Sequence, residues 1–108
     1  MSTHLIRVHE VQQGAGGGSY VCIFDAQVVL GEGETTQVTV SGVEPPDASA
    51  ELVALAAGGI RASAAELLDA ANTQASIAIT RLVLNSTDLK ETRFKLYTAR
   101  EFRRLLAR

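Results

Sequence analysis

A helical stretch set between two strand-patterned stretches limits the fold of this chain more than any other feature. Leu52, Leu55, Ala56, Ile60, Ala64, Leu67 and Leu68 recur at spacings of three and four, which predicts a helix from about residue 48 to 70 with one apolar face. Before it, residues 35–43 alternate, with Val38 and Val40 inward and Gln37, Thr39 and Ser41 outward. After it, residues 75–84 are apolar on both faces, the pattern of a central strand. Two strands joined through a covering helix run parallel when they share its sheet. Gly58 and Gly59 fall in mid-helix, where each costs about 1 kcal/mol relative to alanine. Close packing of the helix backbone against a strand is the expected reason, and a kink is the alternative.

The flanking segments extend this unit. Residues 4–11 read as a first strand, and in residues 20–30 Tyr20, Cys22, Phe24, Ala26, Val28 and Leu30 fall on one face, with Asp25 and Gln27 on the other. Gly31 to Glu34 reads as a turn, which predicts that residues 20–30 and 35–43 form an antiparallel hairpin. Pro45 and Pro46 end the strand, and Asp47 is the expected helix cap. Near the C-terminus, Phe94 and Leu96 alternate like a strand, while Phe94, Tyr97 and Phe102 also sit at helical spacing. Thr98 and Glu101 have the spacing of a capping box. The reading is a short strand over 91–97 followed by a helix from 99 to 108, with one long helix as the alternative.

The fold expected is therefore a single α+β domain over residues 1–108, in two layers. Three strands, a long helix, a strand, a short strand and a last helix follow in order, with a mixed sheet and both helices on one face. At 108 residues and 46% apolar content, one core is the expected limit. No apolar run long enough to span a membrane occurs, and no secretory signal is read at the start. The lone Cys22 cannot form an internal disulfide, which points to a reducing, cytoplasmic setting.

The chemistry-bearing residues do not assemble a familiar centre. His4 and His9, an odd number of positions apart in one strand, project to opposite faces, so no metal site is expected. Cys22 reads as a buried, inert thiol and Asp25 as a residue of the exposed strand face. Gly14 and Gly16 to Gly18 resemble a phosphate loop, but no lysine follows and Ser19 stands where a dinucleotide loop needs glycine. No cofactor, small-molecule substrate or enzymatic activity is expected. Charge is divided along the chain: from Lys90 onward there are seven basic and two acidic side chains, against three basic and ten acidic before it. Arg100, Arg103, Arg104 and Arg108 form a stripe opposite Phe102, Leu105 and Leu106. The stripe reads either as a track for a nucleic-acid backbone or as a solvated helix face.

Gly16-Gly17-Gly18-Ser19-Tyr20 at the opening of the second strand, Gly59-Ile60-Arg61 within the covering helix, and the alternating strand Ile77 to Leu82 together resemble domain IV of translation elongation factor G, a member of the ribosomal protein S5 domain 2-like fold. The resemblance spans residues 5–106 and implies a non-enzymatic module that contacts RNA or the ribosome. Gly16, Gly17, Gly18, Ser19 and Tyr20 would then form a loop-tip contact beside the arginines. The family's tip histidine has no counterpart in Asn85 to Lys90, and no GTP-binding domain is present in the sequence. The competing expectation is a homo-oligomeric or protein-binding module that uses its divided charge.

Overall fold

The computed structural model of the chain describes residues 2–12, 19–31, 33–85 and 89–107. Its elements are β1 (Ser2–Gln12), β2 (Tyr20–Leu30), β3 (Gln37–Val40), β4 (Val43–Glu44), α1 (Ala50–Ala70), β5 (Ala75–Val83) and α2 (Glu91–Leu106). The strands make one mixed sheet in the order β1-β2-β5-β3, with β4 also on β5. β1 and β2 form an antiparallel hairpin, β5 lies antiparallel to β2, and β3 and β4 lie parallel to β5. The two-layer α+β architecture and the parallel pairing across the long helix agree with the sequence.

The predicted hairpin of residues 20–30 with 35–43 is not formed: β5 lies between those segments. Gly31, with φ of 81°, turns the chain out of β2, and its N–H donates to the Gln74 carbonyl just ahead of β5. The Gln74 side-chain amide donates to the carbonyls of Gly31 and Gly33, fastening the connection across the start of β5. β2 and β3 thus each spend their ladder on β5, whose apolar inward face packs under α1. The segment 35–43 is also not one strand, because it breaks at Ser41 and Gly42.

Alternation delivers the core. Ile6 and Val8 of β1, Cys22, Phe24, Ala26 and Val28 of β2, and Ala75, Ile77, Ile79 and Leu82 of β5 are buried on the helix side. They meet Ala56, Ile60, Ala64 and Leu68 of α1 and Phe94, Phe102 and Leu105 of α2. Burial at about 25 cal/mol per Å² of apolar surface is what holds the layers together. α1 is capped by Ser49, whose Oγ accepts the Leu52 N–H at 3.2 Å, and not by Asp47, which is exposed.

Residues 91–97 are helical, so no strand precedes α2. Thr98 is buried in mid-helix, and the local capping signal of Thr98 and Glu101 is overridden. Continuing the helix back to Glu91 places Phe94 on the same face as Thr98, Phe102 and Leu105 and stacks its ring 6.0 Å from that of Phe24. Gly59 also finds its reason here: a Cβ would lie 3.2 Å from Glu91 Cγ, so the helix backbone closely approaches α2 and not a strand.

Candidate functional site

The sequence-predicted residues that come together do so where α2 crosses the Gln12–Tyr20 end of the β1–β2 hairpin. Tyr20 opens β2 on the inward parity, opposite Gln12 of β1. Tyr97 of α2 reaches it, with the two hydroxyl oxygens 2.8 Å apart and ring centroids separated by 6.1 Å. Arg93, one turn earlier on α2, lays its guanidinium 4.2 Å from the centre of the Tyr20 ring. Arg100, nearly one turn later, lies 4.8 Å from that of Tyr97.

Arg100 is also bound by carboxylates. Its Nη1 donates to Glu10 Oε1 at 2.8 Å and its Nε to Glu101 Oε2 at 2.9 Å. Arg104 shares the Glu101 carboxylate at 3.2 Å. The Glu10 hydrogen bond is the main cause that raises the Arg100 pKa, and the hydrogen bond to Tyr20 raises that of Tyr97. Each pair is partly exposed and contributes at most about 1 kcal/mol. Together they fasten α2 to both strands of the hairpin.

This arrangement changes the meaning of the arginine stripe. A stacking platform for bases needs an open aromatic face, and a phosphate track needs free guanidinium groups. Tyr20 is buried with a guanidinium over its ring, and Tyr97 is covered by Arg100. Arg100 and Arg104 are ion-paired, whereas Arg103 is exposed without a partner among the described residues. Ser19 adjoins the cluster through Tyr20, while Gly16, Gly17, Gly18 and Arg108 lie outside the described residues. Glu10 and Arg93 were not singled out by sequence, since the contact joins residues 90 positions apart in the Glu10–Arg100 bond.

The sheet face away from the helices is bare. Leu5 is 74% and Val11 45% exposed there, with Arg7 and His9 between them. Asp25 lines a cavity of about 170 Å³ on this face together with Arg7, but His9 is not in its lining. Cys22 is fully buried, and burial pushes its thiol up to about 12, with Glu10 adding to the shift. Among the described residues, no group of three or more His, Cys, Asp or Glu side chains could hold a metal ion, and no helix is long and apolar enough to cross a membrane.

The sheet's two edges are built differently. β3 and β4 are four and two residues long, with Pro45 directly after them. β1 runs for 11 residues on the opposite edge, and its ladder with β2 is unbroken from Ser2 to Gln12, without a bulge. It contains neither proline nor lysine. The edge made by β3 and β4 is thus protected by shortness and by Pro45, whereas β1 is long and free of bulges and proline, with Arg7 and the inward Glu10 as its charged residues. No protein-family model matches the chain, and no curated protein matches it.

Proposed function

We propose that the chain is a non-enzymatic interaction module that joins a second copy of itself through the free edge of β1. The observation that carries this reading is the long, bulge-free 11-residue edge strand, whose outward N–H and C=O groups can accept another strand. The bare-face order Leu5, Arg7, His9, Val11 is apolar, basic, basic, apolar. An antiparallel copy paired about Val8 therefore sets Leu5 against Val11 of its mate at both ends. Such isologous pairing is the commonest form of homodimer and extends one sheet across both copies.

Sedimentation velocity over a range of protein concentrations tests the reading. The wild-type chain is expected to move from monomer to dimer, and Leu5→Lys with Val11→Lys to remain monomeric with an unchanged circular dichroism spectrum. A wild-type chain that stays monomeric at submillimolar concentration would refute it.

Contact with RNA or the ribosome, the other expectation, is supported by the long covering helix that contains Gly59-Ile60-Arg61 and by exposed Arg103. It is favoured less, because Arg100 and Arg104 already have carboxylate partners. Its test is binding to a generic RNA at low salt, with an affinity that falls steeply as salt is raised.

A further inference from the structure

We propose that the cleft beside the C-terminal end of α1 binds a small, elongated zwitterion of the ω-amino acid class, carboxylate toward Arg61 and ammonium toward Asp69 and Glu34. The cleft has a volume of about 400 Å³, within the range of small-molecule sites. Three segments form it: the connection that carries Glu34 and Thr36, the helix stripe Arg61, Ala65 and Asp69, and Asn72 after the helix.

Its charges are arranged as two poles. Arg61 and Asp69 are eight residues apart on one helix, so their backbones are separated by about 12 Å. Ala65, midway between them, has a side chain too short to bridge the space and forms a floor. No ion pair joins Arg61, Asp69 or Glu34 to a described residue, although opposite charges line the same cleft. The negative pole is reinforced by the helix itself, because the last turn of α1 contains no basic residue to offset its dipole. A diamine would put one cation against Arg61, and a dicarboxylate would put one anion against Asp69. A molecule with one of each suits both ends.

A further observation points to an occupant. Thr36 lines the cleft and is 6% exposed, and its Oγ1 is buried without a hydrogen-bond partner. A buried hydroxyl left unpaired destabilises a protein, and hydroxyls in such positions normally have partners. Because the oxygen itself is closed off, a polar ligand group in the cleft would pair with it only once the Thr36 side chain turned outward.

The test is titration of the ¹⁵N-labelled full chain with 4-aminobutyrate, 5-aminovalerate and 6-aminohexanoate, with hexylamine and hexanoate as singly charged controls. Saturable shifts are expected at residues 34–36 and 61–74, with an optimum chain length and with weaker binding of both controls. Arg61→Gln and Asp69→Asn should each weaken binding by about tenfold or more while leaving the melting temperature unchanged. Thr36→Val should weaken binding but melt no lower than wild type, which separates a ligand contact from a structural role. Absence of saturable shifts at millimolar ligand, equal binding of the controls, or unchanged affinity in the Arg61 and Asp69 variants would overturn the proposal.

Discussion

Gly42 stands where the two parallel strands β3 and β4 meet, and replacing it by alanine gives a sharp test of how the sheet is joined. Between β2 and β5 the register slips, because Asp25 pairs with Arg81 and Ala26 with Ile79, which leaves Thr80 as the extra residue of a bulge. On the opposite side of β5, a Cβ on Gly42 would run into the Thr80 carbonyl. The φ of Gly42 lies outside the left-handed region, so this close approach, and not backbone conformation, requires glycine. The obstacle is backbone rather than a flexible side chain, so relief means moving β4 from β5. Overpacking of this kind costs about 1–3 kcal/mol. Loss of the 2.9 Å hydrogen bond from the Leu82 N–H to the Gly42 carbonyl would add about 1 kcal/mol. Gly42→Ala should therefore lower stability by about 2–4 kcal/mol, at about 4–8 °C of melting temperature per kcal/mol. Ser41→Ala, next to it, removes only a long 3.4 Å hydrogen bond from its hydroxyl to the Ile79 carbonyl and should cost no more than about 1 kcal/mol. Urea unfolding of the two variants measures both values. A Gly42→Ala chain within about 0.5 kcal/mol of wild type would refute the packing of β4 against the bulge.

Three other outcomes are expected. Gly58 is exposed, and a Cβ there would meet nothing within 4 Å, so Gly58→Ala should stabilise the chain by about 1 kcal/mol, while Gly59→Ala should gain less or lose stability against Glu91; urea midpoints distinguish them. Cys22, fully buried with its thiol pushed up to about 12, should resist a thiol reagent at neutral pH and react only at the rate of unfolding, as followed by release of a chromophore. Tyr97, whose pKa is raised above 10.0 chiefly by its bond to Tyr20, adds stability that is fully present below the ordinary tyrosine pKa and is lost as pH rises through the folded value; denaturation measured in alkali should show a steeper loss in wild type than in Tyr97→Phe.

What could be read in the sequence was what depends on periodicity. The even positions of β2, the apolar face of α1 and the central place of β5 follow from side chains alternating across a strand or recurring each helical turn. Neighbour order was not legible in the same way. The turn at Gly31 suits a hairpin as well as a crossing connection, and only the bonds from Gln74 to Gly31 and Gly33 decide between them. Residues 91–97 were misread for a related reason. A local cap at Thr98 competed with a contact between Phe94 and Phe24, and the long-range contact won. The candidate site was legible as a list, in Tyr20 and Arg100, but not as a cluster. That Glu10, Arg93 and Tyr97 occupy the arginines and rings depends on the crossing of α2 over the hairpin, which no local spacing encodes.

The edge of β1 can be examined most directly by amide hydrogen exchange in dilute and concentrated solution. Alternate N–H groups of an edge strand point away from its neighbour, so pairing with a second copy about Val8 should slow exchange at every second residue between His4 and Gln12 as concentration rises, leaving β3 and β4 unaltered. Exchange along β1 that is independent of concentration would contradict the account.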